Sequence, residues 1–461
     1  MVLRTECRGH CTERIVYPDD ARHPLNTEDG FMPSLHAATG HATPRPGYTL
    51  TLLTLLSALA FMDRQILAVL IEPVKREFGL SDLQVGLVTG LGFSLTFALV
   101  GIPLGKMADR SQRRRVLTWT RGLGGLLAAT GAVATGFWTL LISRAGSAIS
   151  EAGGGPAAIS MLSDLYPPEK RSRVISVMGT GASLGALLSL LVGAWLAQQY
   201  GWRTAMALVA LSAVVLTVLI RITVDEPLRH HAGTQADLKQ RGALHDLWHQ
   251  PATRWLVIGT AFALLAGYGF GAWNNALLIR RHNLSLQHAG WISGVAALSS
   301  ILGALWSGTL TDRLCRRDAR WQLGVPLLGL AGALPCGLIY LMLPSGATLA
   351  ATCLMAAYAF LIGWWAAPVY AALSFMVPAE RRATAHAVMM LVGSIVGNGL
   401  GPILTGWLSD LLNQHLQGDG LRFALMGVVA MLVPSLYAFS RVLHLYPAAR
   451  QSVQRQQFQP T

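Results

Sequence analysis

The chain has 461 residues, 52% of them hydrophobic and only 13% charged, with a mean hydropathy of +0.44; a water-soluble domain carries roughly a quarter charged residues, which argues against a soluble enzyme. Its 36 Lys and Arg against 23 Asp and Glu leave a charge of +13, yet these cations stand between apolar runs and not in a patch interleaved with aromatics, which argues against nucleic acid as a partner. Cys7, Cys11, Cys315, Cys336 and Cys353 form no paired framework and no zinc-site spacing, so no disulfide, metal or other cofactor is expected.

Residues 1–47 mix Arg, His, Asp, Pro and Gly without an apolar face and end in Pro44-Arg45-Pro46-Gly47. That composition predicts a disordered tail, without the apolar core of a cleaved signal. Twelve apolar runs follow, at 48–71, 84–104, 115–136, 139–162, 173–197, 204–222, 254–279, 287–310, 322–343, 347–372, 383–406 and 421–443. Backbone groups in hydrocarbon must pair within their own segment, so the runs are expected to be helices. The expected fold is an all-α membrane protein with twelve transmembrane helices in two pseudo-symmetric six-helix bundles, 48–222 and 254–443. A polar linker, 223–253, joins them, and a tail, 444–461, follows.

Loops on one side hold nineteen Lys and Arg, from Lys106 and Arg110 to Arg381 and Arg382. Those on the other hold six: Lys75, Arg76, Arg203, Arg280, Arg281 and Arg422. Positive residues stay inside, so linker and both termini are expected in the cytoplasm. The halves also repeat one another. Asp109-Arg110 recurs as Asp312-Arg313, Pro168-Glu169-Lys170-Arg171 as Pro378-Ala379-Glu380-Arg381, and Gly201-Trp202-Arg203 as Gly420-Leu421-Arg422. Order is kept while loop lengths differ, as in a duplicated unit. Two similar halves around a midplane site is transporter architecture.

Between the second and third spans, Gly105-Lys106-Met107-Ala108-Asp109-Arg110-Ser111-Gln112-Arg113-Arg114-Arg115 predicts a sharp turn with one acid and several arginines. Pairs made there in only one packing of the halves would act as a conformational latch through Gly105, Asp109, Arg110, Arg113 and Arg114, with Asp312 and Arg313 as the degenerate second copy. This loop resembles the signature of the major facilitator superfamily, with Gln112 where the late glycine usually stands.

Charges inside the spans carry more. Asp63 and Arg64 lie in the first, Arg144 and Glu151 in the fourth, and an ion at the bilayer centre costs ~2.5–3.5 kcal/mol unless paired or wet. Arg144 and Glu151 are two turns apart on one helical face, ~10 Å from each other. Asp63 is the natural partner of Arg144, leaving Glu151 as the deeper carboxyl. Such a group is suited to proton coupling, and the competing reading is a permanent ionic network that holds the two helices together. Gly153-Gly154-Gly155-Pro156 beside it predicts a close crossing or kink. On the other half, Tyr268, Trp273, Asn274 and Asn275 in the seventh span and Trp364, Trp365 and Tyr370 in the tenth are candidate substrate contacts. His386 and Asn398 are possible polar lining without an assigned role.

The run Phe61-Met62-Asp63-Arg64-Gln65, Glu72-Pro73, Phe78-Gly79-Leu80-Ser81-Asp82 and Gln84-Val85-Gly86-Leu87, with Arg144 and Glu151-Ala152 before Pro156-Ala157, resembles the bacterial branch of the spinster-like family. The likeness is strong over most of the first half and at superfamily level over the second. It implies that Asp63, Arg64, Arg144 and Glu151 line a central cavity, and it implies a bacterial inner membrane. Animal relatives move lysolipids and sphingolipid derivatives; that likeness alone assigns no substrate to a bacterial chain. The expected function is therefore a proton-coupled secondary transporter, expected to be a monomer in its bilayer, moving an amphipathic or organic-anion small molecule by alternating access. The alternative within transport is uptake of hexuronate-like organic acids by symport. A membrane enzyme lacks a nucleophile–base pair near Glu151, a sensor lacks a signalling domain, and ATP drive lacks a phosphate loop.

Overall fold

The computed structural model describes residues 45–227, 248–378, 381–416 and 418–458. The expected tail up to residue 44 and the linker residues 228–247 lie outside the described residues. The helices that follow are α1 (Pro46–Val69), α2 (Asp82–Ala108), α3 (Arg113–Ala129), α4 (Phe137–Leu165), α5 (Glu169–Tyr200), α6 (Trp202–Thr223), α7 (Pro251–His282), α8 (Leu286–Cys315), α9 (Trp321–Met342), α10 (Thr348–Met376), α11 (Thr384–Leu416) and α12 (Gly420–Val453). Ten are long and apolar enough to cross a membrane by length and composition. Of the other two, α3 is only 17 residues long, and α4 carries Arg144, Glu151 and Asp164. A short helix, Ile71–Phe78, links α1 to α2.

The packing pattern repeats after six helices. In the first half α3 and α2 pack on α4, and α1 on α5; in the second α9 and α8 pack on α10, and α7 on α11. Most helices overshoot the apolar run that marks them, because the hydrogen-bonded ladder continues into the polar boundary. The clearest cases are α2, which continues to Arg110 and turns at Ser111-Gln112, not at Gly105, and the last helix, which continues to Phe458. Its extension is anchored by the buried Tyr446, Ala449 and Val453.

Both ends of the described chain lie on one face, here the terminal face, with the α1 start tied to the α6 end by Tyr48 Oη donating to Thr223 Oγ1 (3.0 Å). On the opposite, far side the halves meet backbone to backbone. A Cβ on Gly90 of α2 would overlap the Gly399 carbonyl oxygen of α11, and one on Gly290 of α8 would overlap the Leu190 carbonyl of α5. α2, α5 and α11 each carry a π-helical stretch at these crossings: Leu87–Leu91, Ser189–Gly193 and Gly393–Leu400. Closer to the terminal face, Gly101, Gly105 and Gly308 have no described neighbour within 4 Å of a built Cβ. The halves thus touch along the far side and part below it. Gly290→Ala is expected to lower stability by ~1–3 kcal/mol, because backbone cannot yield to the new methyl; thermal unfolding in detergent measures it.

Candidate functional site

Between the halves lies a cavity of about 450 Å³ lined by Arg64 and Arg144 from one side and Tyr268, Trp365 and Asn398 from the other. The rest of its wall is largely apolar, with Leu67, Phe93, Leu264 and Ile362.

The four intramembrane ions form two pairs, of which only the arginines line the cavity; Asp63 and Glu151, expected there as well, are not part of its lining. Arg144, 2% exposed, donates from Nη1 to the Asp63 backbone carbonyl (2.9 Å), and its Nη2 stands 3.8 Å from the Asp63 carboxylate. Ser147, one turn along α4, donates to the other Asp63 oxygen (2.5 Å). Asp63 is thus held on three sides. Arg64 is the partner of Glu151, with Nη1 3.0 Å from Oε1, and its guanidinium lies 4.5 Å over the Phe93 ring. The Tyr268 hydroxyl of α7 faces the same guanidinium. Arg64 therefore stands where the halves meet, between a carboxylate of one and a phenol of the other. A cation held by one carboxylate oxygen at a cavity wall can be released when that carboxylate takes a proton or when a ligand anion competes for it.

Of the aromatic and amide candidates, the structure brings Tyr268 and Trp365 to the cavity. Tyr370 lies behind Trp365, ring centroids 6.5 Å apart. Trp273 is fully buried and donates Nε1 to the Pro402 carbonyl (3.0 Å). Asn274 and Asn275 are buried in a closed polar network. Tyr340 donates to Asn274 (2.8 Å), Asn274 donates to Ser293 (3.3 Å), and Ser293 donates to Asn275 (2.7 Å). These three brace the second half and do not face the cavity. Trp364 packs over Gly329 of α9. Asn398 reaches the cavity and also donates to Ser94 Oγ across the halves (3.1 Å), while His386 hydrogen-bonds Ser374 (2.8 Å) and stacks on Tyr370.

The latch candidates fall into separate places. Arg113 is 2% exposed, pairs with Asp164 of α4 and Glu226 beyond α6, and donates to the Pro227 carbonyl (2.9 Å). Arg114 donates to Glu226 (2.7 Å) and to the Val224 carbonyl (2.7 Å). All these partners belong to the first half, so the two arginines tie α3, α4 and the end of α6 to one another. Arg110, Asp312 and Arg313 are exposed at helix ends, and the Asp109 side chain lies outside the described residues. Gly105 is within α2.

A cluster of ion pairs that joins the halves on the far side has no counterpart among the residues singled out from the sequence. Arg280 of α7 forks onto Asp82 of α2, Nη1 to Oδ2 and Nη2 to Oδ1 both 2.9 Å, and donates Nε to Glu72 (2.5 Å). Lys75 also pairs with Asp82, and Ser409 of α11 donates to it (2.6 Å). Asp410 accepts from the backbone N–H groups of Asp82 and Leu83 at the helix start (3.0 and 2.7 Å). Asp82 has no exposed surface. These residues lie in loops and helix ends, where charge is ordinary, so no composition signal marks them.

Residues 53–402 match the family described as Major Facilitator Superfamily. An MFS-type efflux pump of Mycolicibacterium smegmatis is 32% identical over 397 residues, 86% of this chain and 92% of its own. A sphingosine-1-phosphate transporter, SPNS2, of Xenopus tropicalis is 24% identical over 415 residues, 85% of this chain and 79% of its own. Among solved structures, a bacterial homolog of the human lysosomal transporter Spinster, in an inward-facing and unoccupied conformation, superposes with a TM-score of 0.73 at 25% identity. It covers 91% of this chain and 100% of that one.

Proposed function

The chain belongs to the major facilitator superfamily, in its spinster-like branch, and from that premise we propose that this membrane transporter moves an anionic amphiphile by proton-coupled alternating access. The observation that carries the reading is Arg64, which lines a cavity between two halves clamped on the far side and is ion-paired with Glu151 just outside that lining. Two arginines offer an anionic headgroup its counter-charge, and the apolar wall suits an acyl or ring system. A hexuronate-like acid would leave most of its hydroxyls facing Leu67, Phe93, Leu264 and Ile362, at the cost of unpaired polar groups. Glu151 is the proton carrier in this reading, and Asp63 with Arg144 holds the neighbouring helices while the pair opens. A proton falling through 100 mV supplies ~2.3 kcal/mol, enough for concentrative work. The excess of basic loops supports a cytoplasmic terminal face, and in this reading, in a bacterial inner membrane, the side on which the halves part is the inward one. The purified chain in proteoliposomes, given an imposed pH gradient, is expected to move sphingosine-1-phosphate or a lysolipid in a saturable manner. Saturable movement of galacturonate in place of these lipids would overturn the substrate class, and flux of any solute indifferent to the gradient would overturn the coupling.

A further inference from the structure

Arg121 of α3 is a third buried arginine beside the site, and the mechanism above leaves it without a task. It is 5% exposed, and its Nε and Nη1 have no hydrogen-bond partner among the described residues. Its guanidinium fills a notch at Gly154 of α4, where a Cβ would overlap Nε and crowd Cζ. Glu151 precedes Gly154 by three residues and so stands one turn away on the same face. Glu151 uses Oε1 on Arg64, while its Oε2 is buried with no partner. An unfinished cation and an unfinished carboxylate oxygen are thus neighbours. The groups facing Glu151 are Arg64 from α1 with Tyr268 of α7 beyond it, Arg121 from α3, and on α4 itself Arg144, which Asp63 of α1 already engages.

We propose that Arg121 is a positioning residue, the second counterion of Glu151, which takes the carboxylate over from Arg64 when an anionic headgroup enters the cavity and claims that arginine. The proposal rests on the anionic-amphiphile reading for its trigger. A single counterion would force the headgroup and Glu151 to compete for Arg64, because a buried charge left unpaired is costly. With Arg121 in its notch, Glu151 exchanges one ion pair for another and keeps its charge for the proton.

Equilibrium binding of dodecyl phosphate to the full chain in phosphatidylcholine nanodiscs tests the exchange. Arg121→Gln is expected to weaken binding at least ~10-fold, and Arg121→Lys to restore part of it. The double variant Arg121→Gln/Glu151→Gln is expected to bind as Glu151→Gln alone does, since no carboxylate is left to compete. A merely structural Arg121 gives a double variant as weak as Arg121→Gln, which overturns the assignment. The second measurement needs no ligand: in a structure of Arg64→Gln, Glu151 is expected within ~4 Å of Arg121 Nε or Nη1. A carboxylate that stays clear of Arg121 there overturns the proposal. If the unmodified chain fails to bind dodecyl phosphate, the substrate reading falls, and the Arg64→Gln structure still decides the role of Arg121.

Discussion

Glu151→Gln is expected to abolish proton-driven flux, a loss of at least ~100-fold, while the chain folds and inserts. The amide keeps the shape of the side chain and an oxygen for Arg64, which stands 3.0 Å from Oε1, but it carries no proton between the two access states. It also leaves Arg64 without its counter-charge, and losing one partner of a buried pair costs ~3–5 kcal/mol. The Arg64 side chain is 15% exposed at the cavity, so water and a ligand anion offset part of that cost, and the variant loses coupling before it loses structure. Arg144→Ala is expected to fail as well, by freeing Asp63 from the contact of 2.9 Å at its backbone. Proteoliposome flux with and without a pH gradient, alongside size-exclusion profiles in detergent, separates the outcomes. Normal gradient-driven flux in either variant would remove the coupling role. Two variants that fail to fold would favour a permanent ionic strut.

Arg280→Ala is expected to open the far side. Its fork onto the fully buried Asp82 and its bond to Glu72 join α7 of one half to the α1–α2 corner of the other. Removing the arginine leaves the two carboxylates, among the described residues, with Lys75, Arg76 and Ser409 as side-chain partners. At ~3–5 kcal/mol for a broken buried pair, most of the ~5.5 kcal/mol needed to invert a 99:1 population is available. Spin labels at Gln199 and His288, near the far ends of α5 and α8, are expected to report a new, longer distance in the variant. An unchanged distribution would show that the backbone contacts at Gly90 and Gly290 hold the closure by themselves. Transport is expected to fall in the same variant, because a far side that stays open cannot reset.

The fold was legible from hydropathy because span length and loop charge are local properties. Asp63, Arg64, Arg144 and Glu151 stood out for the same reason: an ion inside an apolar run is conspicuous without any knowledge of its neighbours. The Asp63–Arg144 partnership followed from counting turns, but the Arg64–Glu151 pair did not, since nothing in the spacing states which arginine a carboxylate will meet. Arg121 satisfied the same criterion and acquired a meaning only from the notch at Gly154.

Sequence alone thus determined that the chain is an all-helical membrane protein and which charges inside its apolar runs call for a partner. Tertiary packing decided which side chains share a space. Successive residues on a helix point ~100° apart, so Trp273, Asn274 and Asn275 cannot all face one cavity; the rotation of α7 against its neighbours turned all three into the second half and left Tyr268 at the wall. The clamp on Asp82 was equally out of reach, because Asp82 and Arg280 are far apart in the chain and meet only when the two halves close.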